Sequence, residues 1–194
     1  IQNCANYGDI TGPDIVGNLI GNGYICNLNN VLGTGNVTAT SADRAGLLVG
    51  NIDNSSSTAS GILAYNSSAK LTINKIEQTG NAVKAIGKGS LTYPDGMNQA
   101  DVVKAFTPEQ LNSGEVAYLL NGSKSEGKLS WYQKLGTDAY PVLTAAENNT
   151  VYNGSFRYCD NTASSYSNST SENELIHVAS ATLTSPKFDA DKHI

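Results

Sequence analysis

The chain holds few residues arranged to do chemistry. Two Ser-x-x-Lys spacings occur, Ser67 to Lys70 and Ser125 to Lys128. On a helix this spacing sets an amine beside a nucleophilic hydroxyl. Both lie in turn-rich stretches and lack the partner motifs of such enzymes. With 20 Ser and 10 Lys in the chain, chance accounts for them. Polysaccharide cleavage needs clustered carboxylates, often with Ca²⁺, on one outer face. The acids of the first hundred or so residues are Asp9, Asp14, Asp43, Asp53, Glu77, Asp95 and Asp101. Asp14 and Asp43 stand 29 apart, with Arg44 beside the second. That is one loose constellation with no further acid at a defined separation, and solvated loop carboxylates are the plainer reading.

Metal ligation finds no better footing. The histidines are His177 and His193, the cysteines Cys4, Cys26 and Cys159, and no Cys-x-x-Cys or His-x-x-x-His pair is present. Zinc-site spacing is therefore missing. Asp189, Asp191 and His193 would hold a cation only weakly and read as a polar tail. Cys4 and Cys26 read as two small buried hydrophobes in adjacent windings. A disulfide between them is not required and would leave Cys159 over. No catalytic residue, metal ligand or cofactor is assigned.

Aromatic side chains are the remaining candidates. Eight of fourteen fall between residues 118 and 166, among them Trp131, Tyr132 and Tyr140. Exposed rings stack on sugar faces, so these three are the candidate binding residues for a glycan. The alternative is that the rings form the core of a covering segment, with Trp131, Tyr140 and Pro141 innermost. Seven Asn-x-Ser/Thr sequons, starting at Asn36, Asn54, Asn66, Asn121, Asn148, Asn153 and Asn168, arise by composition alone in so Asn-rich a chain.

These residues must be held by elements, and composition says which. Asn (22), Ser (20), Thr (16) and Gly (19) make up about two-fifths of 194 residues, while charged residues are 15%. Ordinary globular chains carry nearer a quarter charged. Short polar side chains serve turns, which fits a β-rich extracellular surface. The net charge of −5 and only two Arg leave no basic stripe for a phosphate backbone, so nucleic acid is not a partner. No apolar run reaches membrane-spanning length.

Three short signals recur in order. Gly17-Asn18-Leu19-Ile20-Gly21-Asn22 returns as Gly46-Leu47-Leu48-Val49-Gly50-Asn51, an offset of 29. Gly8-Asp9-Ile10-Thr11 returns as Gly35-Asn36-Val37-Thr38, an offset of 27. Ile1-Gln2-Asn3-Cys4 matches Ile25-Cys26-Asn27-Leu28 at 24. A third, degenerate copy aligns Thr79-Gly80-Asn81 with Thr34-Gly35-Asn36. Order kept while spacing drifts is the behaviour of a stacked repeat whose loops vary. Strands are expected over 15–20, 46–52, 61–65, 70–76 and 83–86, between Gly, Asn and Ser turns.

Beyond residue 105 the pattern changes. Thr107-Pro108-Glu109-Gln110 is a capping box with Pro in the first turn. Ser113-Gly114-Glu115 begins a second helix and Asn121-Gly122 stops it. A hairpin follows, 129–135 and 139–143. Residues 1–105 thus read as solenoid repeats, 106–152 as a C-terminal cap over the last winding, and 153–194 as a Ser/Asn-rich linker or appended strand near 175–183.

The Gly-x-Leu-[Ile/Val]-Gly copies with their Gly-[Asp/Asn]-[Ile/Val]-Thr lead-ins resemble the GLUG-motif repeats of large bacterial surface proteins. The stretch Ser113 to Gly122, then Trp131 and Gly136-Thr137-Asp138-Ala139-Tyr140-Pro141-Val142-Leu143, is similar to the segment that closes such arrays. The resemblance implies an all-β fold, a right-handed parallel β-helix or β-solenoid with a small helix-plus-hairpin cap. It implies a secreted or cell-surface address and an adhesin-like, non-enzymatic role as spacer or ligand-presenting scaffold. The expected partner is a host or dietary glycan or a surface protein, met by a monomeric segment of a longer multidomain chain. The alternative expectation is a carbohydrate-active or carbohydrate-binding solenoid, a lyase or hydrolase accessory.

Overall fold

The computed structural model describes residues 1–40, 44–124, 128–134 and 136–143, and the backbone alone of Phe156–Arg157 and Leu175–Ile176. The fold is all-β, with short strands in several sheets and a few short helices. A first pass of the chain lays down β1 (Gln2–Asn6), β2 (Ile10–Gly12), β3 (Val16–Gly17) and β4 (Ile20–Gly23). A second lays down β5 (Asn27–Gly33), β6 (Val37–Ala39), β7 (Ala45–Gly46) and β8 (Val49–Ile52). A third gives β9 (Thr58–Asn66), β10 (Leu71–Ile73), β11 (Ile76–Glu77) and β12 (Ile86–Lys88). Then come α1 (Gln99–Val102), β13 (Val103–Phe106), α2 (Pro108–Asn112) and α3 (Glu115–Leu120). β14 (Phe156–Arg157) and β15 (Leu175–Ile176) form a separate parallel pair.

The first two passes visit four sheets in the same order, and the third visits three of them in that order. The orders are β1-β5-β9-β13, β11-β10-β6-β2, β12-β8-β4 and β3-β7. All these pairings are parallel except the β10–β11 hairpin. Two repeat alignments match the strand register residue for residue. Val16, Gly17, Ile20 and Asn22 face Ala45, Gly46, Val49 and Asn51, and Ile10 and Thr11 face Val37 and Thr38.

Two alignments are corrected. Cys4 faces Val31, and Gln2 faces Asn29, so the first strand repeats at 27 and not at 24. In the third pass Leu71 sits opposite Val37, and Gly80–Ala82 is a 3-10 turn. The expected strand at 83–86 begins instead at Ile86, which pairs with Val49. Glycine is required where passes touch: a Cβ on Gly46 would collide with the backbone of Gly87 and Val49.

The core follows from strand alternation. Val31 and Leu63 point into one cluster with Leu28, Val49, Ile52 and Val102. Their neighbours Leu32 and Ala64 point the other way, onto Leu111, Val116, Leu120 and Trp131. The β1-β5-β9-β13 sheet is thus buried on both faces, which is why its strands carry adjacent apolar residues and not a clean alternation. A third cluster joins Val16, Val37, Ala45, Leu47 and Leu71.

The segment expected over the last winding lies elsewhere. α2, α3 and Trp131 pack along the outer face of this sheet, against Ala5 of β1, Leu32 of β5, Ala64 of β9 and Phe106 of β13. They brace all four strands from the side. Among the described residues no helix is long and apolar enough to cross a membrane.

Candidate functional site

Asp9, Asp14 and Asp53 are woven into side-chain ladders between passes. Asp9 Oδ1 accepts from the backbone N–H of Asn36 at 2.7 Å, and Asn36 Oδ1 accepts from the N–H of Lys70 at 2.8 Å. Asp53 accepts from Asn22 Nδ2 at 2.7 Å and from Asn51 Nδ2 at 2.5 Å, and Asn51 also donates to Asn22 Oδ1 at 2.8 Å. The hydrogen bonds from Asn22 and then Asn51 hold the Asp53 carboxyl below the usual carboxylate range. Asp14 pairs with Arg44 at 3.1 Å across the first two passes. Asp101 closes a capping box with Asn98. Asp43, the partner proposed for Asp14, lies outside the described residues, as do Asp189, Asp191, His177, His193, Cys159 and Ser125.

The other candidates are placed as follows. Lys70 turns from Ser67 and pairs with Glu77 at 3.0 Å. Cys26 is half-buried against the core, but Cys4 is exposed, because among the described residues β1 is the edge strand of its sheet; both are free thiols. Among the described residues no three His, Cys, Asp or Glu side chains come together in a way that would hold a metal ion.

The aromatic candidates divide. Trp131 is fully buried and offers no ring to a ligand. Its indole Nε1 donates to Asn3 Oδ1 at 3.2 Å, and Asn3 Nδ2 donates to Ser130 Oγ at 3.1 Å. Asn121, the helix-stop residue, grips the same segment: its Oδ1 accepts from the N–H groups of Ser130 and Trp131, and its Nδ2 donates to the Trp131 carbonyl. Tyr132 is half-buried, with its hydroxyl donating to Leu129 O at 3.0 Å, and its backbone exchanges two 2.7 Å hydrogen bonds with Val142. This bridge is what the expected hairpin amounts to among the described residues.

Tyr140 stacks on a residue that sequence reasoning missed. Tyr7, just past β1, lies parallel to it with ring centroids 5.8 Å apart and planes at 10°. The Tyr7 hydroxyl donates to Pro141 O at 2.7 Å. Burial first, and the charge of Asp138 second, push the Tyr7 phenol up to about 12. Tyr7 remains 41% exposed and Tyr140 is half-buried, so the stack presents ring surface where the first strand meets the hairpin. Asp138 is fixed beneath it: one carboxylate oxygen accepts from the Lys134 N–H at 2.7 Å, and its carbonyl accepts from the buried Gln133 side chain. No sequence signal pointed to Tyr7, since its partner is 133 residues away.

Comparison with protein-family models, curated proteins and solved structures returns no match to this chain.

Proposed function

We propose that the chain is a right-handed parallel β-solenoid segment of the GLUG-repeat kind, serving as a non-catalytic scaffold on a secreted or surface-exposed bacterial protein. The observation that carries this reading is the register in which Gly17, Ile20 and Asn22 face Gly46, Val49 and Asn51. Strands repeating in one order with glycines at the contacts are how a solenoid propagates, and parallel crossovers are overwhelmingly right-handed. The scaffold role is supported by Asp9, Asp14 and Asp53, whose carboxylates are engaged by amides, a backbone N–H group and Arg44. Incubation with plant and host polysaccharides, with and without Ca²⁺, is expected to give no turnover. Cleavage abolished by Asp14→Asn would overturn the reading.

A second reading rests on the Tyr7–Tyr140 stack, in which Tyr7 is exposed, Tyr140 is half-buried and a carboxylate lies nearby. Such a platform suits the apolar face of a sugar ring. A glycan array probed with the wild-type chain and with Tyr140→Ala tests it. A silent array dismisses carbohydrate binding at this surface.

A further inference from the structure

The two ends of the strand stack are built differently. On one side β11 folds back antiparallel on β10, and β11, β12 and β13 are the edge strands of their sheets. On the other side β1, β2, β3 and β4 are all edge strands. The apolar positions they carry are the register equivalents of fully buried second-pass residues. Cys4 faces Val31, Ile10 faces Val37 and Ile20 faces Val49. Val31, Val37 and Val49 are each at most 1% exposed, whereas Cys4 is exposed and Ile10 and Ile20 only half-buried. Ile1, Tyr24 and Ile25 add exposed apolar surface to the same end.

Gly8 says what belongs there. Its register equivalent, Gly35, must be glycine because a Cβ would collide with the carbonyl of Gly8 in the preceding pass. Gly8 has no such neighbour: the nearest atom to a Cβ placed on it is Asn6 Oδ1, at an ordinary 3.7 Å, and its φ is not in the left-handed region. Nothing among the described residues requires glycine at position 8. A backbone carbonyl approaching from ahead of β2, as Gly8 approaches Gly35, would require it.

We propose that this open end is a stacking face for one further parallel winding of the same build, seated ahead of Ile1, with a carbonyl over Gly8 and apolar side chains over Cys4, Ile10 and Ile20. The proposal rests on the solenoid reading, and it continues the interface already present between the first and second passes. A tandem duplication of residues 1–27 joined directly ahead of Ile1 supplies such a winding, since position 28 is in register with position 1. With every other cysteine replaced by serine, labelling of the original Cys4 by a thiol reagent should slow at least tenfold on duplication. Gly8→Ala should leave the urea midpoint of the unextended chain unchanged and lower that of the extended chain, as Gly35→Ala does in both.

Equal labelling rates, or a Gly8→Ala loss already present without the duplication, overturns the proposal. A wild-type chain that sediments as a dimer, with Cys4 shielded in it, makes a second copy the occupant and also overturns it. A harmless Gly35→Ala would instead remove the solenoid reading beneath it.

Discussion

Asn3 and Trp131, 128 residues apart, are joined by a hydrogen bond from the indole Nε1 to the Asn3 side-chain oxygen at 3.2 Å. The first strand and the segment after the helices thereby form one structural unit. Trp131 sits at its centre, fully buried among Leu32, Ala64, Phe106, Leu111 and Leu120. Trp131→Ala should cost about 3–5 kcal/mol, in the range for large-to-small core changes. Trp131→Phe keeps most of the packing and loses the hydrogen bond, so about 1 kcal/mol plus a cavity contribution is expected. Urea denaturation followed by far-UV circular dichroism measures both, and an unchanged midpoint for Trp131→Ala would refute a structural tryptophan.

The start of α2 makes a smaller, independent prediction. Thr107 Oγ1 accepts from the Gln110 N–H, and the Gln110 side chain accepts from the Thr107 N–H. Thr107→Ala removes one arm of this box and should cost about 1 kcal/mol. Double-mutant analysis with Gln110→Ala should show coupling, since the two residues satisfy each other's orphan donors. Strict additivity would mean that the box forms only weakly in solution.

Asp53 sets a dependence at acid pH. Its folded-state carboxyl is held below the ordinary aspartate value of 3.8 by hydrogen bonds from Asn22 and Asn51. A group depressed in this way stabilises the fold above its unfolded pKa, and that stabilisation is lost as pH falls through the folded value. Thermal midpoints of the wild type should therefore drop more steeply below about pH 4 than those of Asp53→Asn. Parallel curves for the two proteins would show that the ladder does not persist in solution.

Tyr7 acts at the other end of the scale. Its phenol titrates near 12 in the folded chain against 10.0 for an ordinary tyrosine. The neutral form is the one favoured by folding, so its contribution is whole below pH 10 and is lost as pH rises from 10 towards 12. Absorbance titration near 295 nm should show late-titrating tyrosines, and Tyr7→Phe should remove one of them. Tyr65 and Tyr93, whose phenols are also raised by burial, supply the remainder, and a late amplitude unchanged by the substitution would show that Tyr7 is not part of it.

Much of this was legible in the chain, and the boundary is physical. Copies with glycines at fixed places declared their register, because a close backbone approach tolerates no other residue, as at Gly46. The helices announced themselves through Thr107, Pro108 and Gln110. The first strand was aligned three residues short because Ile, Asn and Cys recur near Ile25 without filling the same structural position. The third pass escaped because its spacing drifts twice: residues added by the end of β9 and the turn after it move the equivalent of Val37 to Leu71, and the β10–β11 hairpin then moves that of Val49 to Ile86. That α2, α3 and Trp131 lie along the sheet as far as β1 could not be read, since no local pattern links residue 131 to residue 3. The same reason hid Tyr7 from the candidate site.

The clasp between β1 and the hairpin also has a mechanical consequence. The indole bond to Asn3, the amide of Asn3 on Ser130 and the phenol of Tyr7 on Pro141 tether the beginning of the described chain directly to its last part. Tension applied at those two places runs through the tethers and bypasses the strand ladders between them. Under a stretching force this junction must part before any ladder unzips, so the molecule resists extension at one local fastening and not along its length.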